Sequence, residues 1–179
     1  MSATIHHMNF ANLFIGDDDP TESQFLVLKN VKLPDLEEKT KAHEGAGAAM
    51  EIDLGMGVIN PLMVSFGLEG VSTAALRRFM PATPRRIFYT IRGNVQDIQT
   101  HEEYEVKAVL EGRMTKAAMG DFKKSDGIAG EYELKEIVKY KLFVKGEEEL
   151  SFDYFLGPAG VKRQGQLVFS AAARNLGLA

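Results

Sequence analysis

Arg86 to Gln99 reads RIFYTIRGNVQDIQ and places Ile87, Tyr89 and Ile91 on one face of an extended chain. Side chains of a strand point alternately to opposite faces, so this stretch predicts a strand with one face in a core. The pattern continues toward the C-terminus. Tyr104, Val106, Ala108 and Leu110 alternate with Glu103, Glu105, Lys107, Val109 and Glu111. Tyr132, Leu134, Val138, Tyr140, Leu142 and Val144 alternate with Glu133, Lys135, Lys139, Lys141 and Lys145. Gly146 opens a turn, and Leu150, Phe152, Tyr154 and Leu156 alternate with Ser151, Asp153 and Phe155. Gly112 to Gly130 reads as a long polar connection, and Gly157-Pro158-Ala159-Gly160 breaks the sheet. Strands with one buried and one wet face, joined by hairpins, predict a mainly β chain built as a small antiparallel barrel or sandwich.

The flanks add short elements. Asn9 to Ile15 is a first strand, Gly16 to Pro20 a turn, and Phe25 to Leu28 a second strand that would complete a hairpin. Leu62 to Phe66 is a further apolar strand. Ser72 and Thr73 cap a short helix, Ala74 to Met80, which Pro81 and Pro84 end. Gln164 to Asn175 has apolar residues at three- and four-residue spacing, a C-terminal helix that Gly177 would stop. With no internal repeat and no linker, residues 1–179 read as one domain.

One stretch does not fit. Val31 to Asn60 reads VKLPDLEEKTKAHEGAGAAMEIDLGMGVIN. Val31 to Leu36 is strand-like, Glu37 to Lys41 is a charged arm, Glu44 to Met50 is small and flexible, and a short strand Glu51 to Leu54 comes next. No apolar period of 3.6 or 2.0 runs through its middle, so it predicts a long protruding arm and loop over about residues 32–60. An unstructured loop of this length is uncommon in a compact domain. It is disordered, a lid, or ordered by something outside its own subunit.

Composition excludes several functions. The 179 residues are 45% hydrophobic and 26% charged, with net charge -4, which offers no basic field for nucleic acid. There is no cysteine, hence no disulfide or thiolate chemistry. No apolar run is long enough to span a membrane, and Met1 to Phe10 has no signal-peptide pattern, which predicts a protein kept in the cytoplasm or released by lysis. His6, His7, His43 and His101 lack the spacing of a zinc pair, and Asp17-Asp18-Asp19 lacks the ligand pattern of a calcium loop, so no metal site is expected. Gly45-Ala46-Gly47 has Met50 where a dinucleotide fingerprint needs its third glycine. Phosphate-loop and nucleophile-elbow motifs are absent. Neither an enzyme, nor a cofactor, nor a small-molecule ligand is expected.

The order of motifs along the chain resembles the P2-like major tail tube proteins of contractile-tailed phages and tailocins. The resemblance rests on Asn12-Leu13-Phe14-Ile15, Val31 to Leu36 with the arm Glu37-Glu38-Lys39-Thr40, Gly45-Ala46-Gly47, and Ile52 to Met56. It continues through Ile91-Arg92-Gly93, Leu110 to Arg113, Val138 to Leu142, and the ending Arg174 to Leu178. Asp17 to Ser23 and Gln164 to Ala173 depart from the pattern, on the surface where sheath contacts would lie. The resemblance implies homohexameric rings that stack into a tube inside a contractile sheath, assembled in the host bacterial cytoplasm and residing in the virion. It implies the sheath, the tape measure protein, the baseplate and the tail terminator as partners. In a phage, double-stranded DNA would pass through the lumen without specific binding; in a tailocin, the tube would be a membrane-puncturing channel. A ring-forming tube protein of a type VI secretion system and a monomeric ligand-binding β-barrel are the alternatives.

On this reading, contacts between rings and subunits fall to Glu37, Lys39, Lys41, Glu44, Gly45, Gly47, Met50, Met56, Arg174, Leu176 and Leu178. The loop Ala42 to Met50 would be the joint between stacked rings. Glu102, Glu103, Glu105, Glu111 and Glu133 are the candidates for facing the lumen.

Overall fold

The computed structural model describes residues 5–16, 20–79, 85–121 and 127–178. Its strands are β1 (His6–Ile15), β2 (Leu28–Lys32), β3 (Glu38–His43), β4 (Ile52–Ile59), β5 (Val64–Glu69), β6 (Ile87–Asp97), β7 (Glu103–Met119), β8 (Ala129–Val144), β9 (Glu147–Asp153), β10 (Val161–Arg163) and β11 (Gln166–Leu167). Its helices are α1 (Thr73–Arg78) and α2 (Ser170–Asn175). All pairing between these strands is antiparallel.

The main sheet runs β1-β6-β7-β8-β9-β10-β11, and β8 also pairs β5, which pairs β2. Strand β8 therefore serves two neighbours on one side. Its first half, Ala129 to Leu134, pairs β5, and its second half, from Lys139, pairs β9. The bend between them sits at Glu136, whose φ is 49°, opposite register shifts in β7 around Gly112 and Thr115. Such irregularities bend a strand and redirect the half beyond the bend. Gly112 allows a close approach there: a Cβ would meet Ile137 Cγ1 at 3.1 Å and the Lys135 carbonyl at 3.3 Å. The bent sheet curls around its core without closing into a barrel through hydrogen bonds among the described residues.

The core fills that curl. Its largest fully buried side chains include Tyr89, Tyr132, Tyr140, Leu13, Leu110 and Leu134. Phe66 stacks on Tyr132 at 5.1 Å between centroids, and Tyr140 on Phe152 at 6.2 Å. Helix α1 contributes Ala75, and Ser72 caps it by accepting a hydrogen bond from the Ala75 N–H at 3.2 Å.

Several expectations are corrected. Phe25 to Leu28 does not pair with the first strand as a hairpin; β2 begins at Leu28 and pairs β5, leaving β1 a single bridge, Phe14 to Ser23. Gly112 to Gly130 is not one connection, because β7 continues to Met119 and β8 begins at Ala129. Strand β9 stops at Asp153, where the side chain caps a 3-10 segment, Tyr154–Gly160. The C-terminal helix is shorter than its apolar spacing predicted, since Gln164 and Gly165 both have positive φ and form a turn between β10 and β11. The turn at Asp17 to Asp19 and the helix end at Met80 to Pro84 lie outside the described residues.

Candidate assembly surfaces

The stretch that resisted the sequence reading is a β-hairpin. β3 and β4 pair only with each other, in register Lys41 with Leu54 and His43 with Ile52. All of β3 is exposed, as is β4 apart from Ile59. The hairpin contributes no side chain to the core, which is why no core-facing period marks it. Its base is held firmly. The Gly57 N–H donates to the Glu38 carboxylate at 2.7 Å, and the Asn60 N–H donates to the Glu37 carbonyl at 2.8 Å. Gly57 has φ +66° and lies against the Phe169 ring, where a Cβ would sit at 3.6 Å. The tip is a short turn closed by the Ala48 N–H on the Gly45 carbonyl at 2.9 Å.

Met50, Ile52, Leu54, Met56 and Val58 form an apolar series along β4, all exposed. Ile52, Leu54 and Val58 are exposed apolar residues that the sequence reading does not single out. Their alternation is a strand signal, but Asp53, Gly55 and Gly57 interleave it so that it resembles a flexible loop. Of the other predicted contacts on this element, Glu37, Lys39, Lys41, Glu44 and Gly47 are also exposed, and Gly45 is half-buried at the turn.

At the hairpin's base opens an apolar groove of about 750 Å³, lined among others by Met56, Val58, Ile137, Phe152, Tyr154 and Phe169. Val161, Phe169 and Ala172 line one side of it, Ala172 from α2. That helix finishes in a capping turn: the Gly177 N–H donates to the Arg174 carbonyl at 3.0 Å and the Leu178 N–H to the Ala173 carbonyl at 2.8 Å, with Gly177 at φ 68°. Bonds of this kind satisfy carbonyls that a helix's last turn leaves open. Ala173 is buried, whereas Arg174, Leu176 and Leu178 remain exposed on the subunit.

Four of the five predicted lumen carboxylates are paired with a cation. Glu103, Glu105 and Glu111 share the wet face of β7, Glu105 opposite Asn94 and Glu111 opposite Lys139. Glu105 pairs with Arg92, Glu111 with Lys139 at 3.0 Å, and Glu102 with Lys145 at 3.3 Å. Glu133, on the bent end of β8, bridges Lys116 at 2.8 Å and Lys135 at 3.3 Å. The Lys116 hydrogen bond holds the Glu133 carboxyl below the usual range, and the same bond raises Lys116. Lys139 is raised by its hydrogen bond to Glu111. This face is charge-compensated, neither acidic nor basic.

The sheet has open edges. β1 has β6 on one side, and its half from His6 to Asn12 has no strand on the other among the described residues. The exposed side chains of Phe10 and Phe25 line one shallow pocket there with Ala11 and Asn12. Unpaired edges are templates for pairing with another chain. Among the described residues, no group of three or more His, Asp or Glu is placed to hold a metal, and no helix is long and apolar enough to cross a membrane.

The family model for the phage tail tube protein FII matches residues 7–161. A chain from the cryo-EM structure of an extracellular contractile injection system, the PVC sheath-tube complex in its extended state, superposes with a TM-score of 0.51 at 12% identity, over 75% of this chain and 88% of that one. A chain from the sheath/tube terminator of the PVC system, also extended, gives a TM-score of 0.50 at 11% identity, over 75% and 92%. At this identity the likeness shows a shared fold. No curated protein matches the chain.

Proposed function

The chain belongs to the phage tail tube protein FII family, and from that premise we propose that it is the structural subunit of the inner tube of a contractile tail or tail-like particle. Copies join edge to edge into hexameric rings, and rings stack into a hollow tube within a sheath. The observation that carries this reading is the hairpin. It is ordered at its base, and it projects five exposed apolar side chains that the subunit itself leaves unpartnered. Such a surface is costly in water and marks an interaction site. The open β1 edge supplies the second contact, around the ring, and ring closure removes the edge.

The residues take roles accordingly. The loop Ala42 to Met50, with Glu37, Lys39, Lys41 and Met56 flanking it, joins one ring to the next. Arg174, Leu176 and Leu178 face a neighbouring subunit. The wet face of β7, with Glu103, Glu105 and Glu111, lines the lumen. Its ion pairs leave no excess of free cations to bind the phosphates of a passing duplex. The protein works without catalysis, cofactor or small ligand. Its partners are further copies of itself, the sheath, the terminator, the tape measure and the baseplate, in a virion or phage-like particle assembled in the host bacterial cytoplasm. Whether the cargo is DNA or a puncturing channel depends on that particle. Light scattering across a concentration series tests the reading: mass should rise far beyond a single subunit, and a strict monomer at high concentration would defeat it.

A further inference from the structure

Strands β3 and β4 pair in two frames at once. At the base Glu38 lies opposite Ile59, and the Asn60 N–H donates to the Glu37 carbonyl at 2.8 Å in the same frame. Farther out, Thr40 lies opposite Gly55, Lys41 opposite Leu54 and His43 opposite Ile52. Between the two frames one residue of β3, Lys39, faces three of β4, Met56, Gly57 and Val58, so β4 carries a bulge of two extra residues. We propose that this bulge is a store of strand length: the Glu38 carboxylate locks it, and withdrawing that carboxylate lets β4 straighten and carry Ile52 and Leu54 outward.

Two contacts hold the bulge. The Gly57 N–H, in a backbone with φ +66°, donates to Glu38 Oε1 at 2.7 Å. The same carboxylate lies over Gly55, where a Cβ would stand 2.6 Å from that oxygen, so a side chain at Gly55 would push it away. On the other contact, the Phe169 ring backs the bulge, 3.6 Å from where a Gly57 Cβ would be. The rest of the hairpin does little to fix its frame. All of β3 is exposed, and so is β4 apart from Ile59. Strands without a buried face, and with glycines among their residues, specify register weakly.

Continuing the base frame outward gives the straight alternative. Thr40 would face Gly57, Lys41 would face Met56 and His43 would face Leu54. The paired side chains keep their faces, because the shift is two residues and faces alternate with a period of two. The ladder grows, adding Lys39 with Val58 and Gly45 with Ile52. Against it, Glu44 comes opposite Asp53, and like charges in that position repel. In the bulged frame Ile59 to Gly55 spans only the distance from Glu38 to Thr40. Straightened, it spans two residues more, so Ile52 and Leu54 move about 7 Å farther from the base at about 3.3 Å per residue. The change takes place within one subunit, whatever that subunit assembles into.

Cysteine pairs in the full chain read the frame directly, because the protein has no cysteine of its own. Lys41→Cys/Leu54→Cys joins positions that are opposite in the bulged frame, and Lys41→Cys/Met56→Cys joins positions that are opposite in the straight one. Opposite side chains come within disulfide reach, whereas diagonal ones lie about 7–8 Å apart, which is too far. In dilute protein the first pair should close its intrachain disulfide at least about tenfold faster than the second. Glu38→Ala should reverse that order, and Glu38→Gln, which keeps an acceptor oxygen for Gly57, should preserve it. Equal rates with Glu38 in place, or an order that Glu38→Ala leaves unchanged, would overturn the proposal. Closure of neither pair beside Glu38→Ala would also overturn it, by showing that the hairpin comes apart instead of sliding. A second measurement needs no cysteine. Nuclear Overhauser contacts should pair Ala42 with Asp53 in the wild-type chain and with Gly55 in Glu38→Ala; Ala42 against Asp53 in both chains overturns the proposal.

Discussion

Ile52→Thr/Leu54→Thr should leave the subunit intact and cripple its assembly. Threonine carries the β-branch that suits a strand, so the hairpin's local preference is retained. Within the subunit the two side chains cover nothing in the core, and 46% and 44% of their surface is exposed. Full burial of such a side chain is worth roughly 1.5–3 kcal/mol. About half of that is still to be gained at an interface, so the pair contributes roughly 1.5–3 kcal/mol per docked subunit. At about 1.4 kcal/mol per factor of ten, each contact weakens by roughly ten- to a hundredfold, and every subunit of a ring is affected at once. The assay has two arms. Thermal unfolding of dilute protein should show only a modest loss, below about 2 kcal/mol, since the covered part of each side chain lies outside the core. The concentration at which pelletable polymer first appears should rise at least about tenfold. A variant that loses more than about 2 kcal/mol of subunit stability would show that the stripe belongs to the subunit's own core. A variant that polymerises at the wild-type concentration would show that the stripe is not an interface.

Deleting Asn175 to Ala179 removes the carbonyl-capping turn and the exposed Leu176 and Leu178, and should reduce both assembly and subunit stability; normal tubes from the truncated chain would refute a role for that end. Tyr89→Phe should be neutral or stabilising by up to about 1 kcal/mol in denaturant titration, because its buried hydroxyl has no hydrogen-bond partner; the same burial raises its pKa. A loss above about 1 kcal/mol would contradict this. The Glu133 pairing should be felt at acid pH. Its folded pKa is depressed below 4.5, so its contribution is present above that value and is lost as pH falls through the folded one. Glu133→Gln should therefore lower stability at neutral pH, leave it near wild type at pH well below the folded pKa, and so flatten the acid limb of the profile; an unchanged acid limb would refute the pairing.

Much of this fold was legible because one face is dry and one is wet. Tyr89, Ile91, Leu110, Leu134 and Tyr140 all alternate with charged or polar residues, and all are buried. The misreadings came from stretches where that contrast is weak. Lys116 and Ala117 lie in β7 beyond the bend, where the register shifts break the period of two, so the strand reads as a loop. Around Ala171 and Ala172 the apolar spacing is helical, but the positive φ at Gln164 and Gly165 keeps the preceding residues out of the helix. The candidate interface was half legible. The glycines and charges of the tip stand out, while Ile52, Leu54 and Val58 do not, because an exposed side chain leaves no imprint on the core period. The groove was invisible to the sequence, since Met56, Ile137, Phe152 and Phe169 come together only through the bend at Glu136 and the turn before α2.

Negative-stain electron microscopy of the purified wild-type chain, raised through a series of concentrations, tests the central claim most directly. The account predicts hollow tubes of constant diameter with a regular axial repeat, growing from rings. Uniform small particles at every concentration, without rings or tubes, would contradict it.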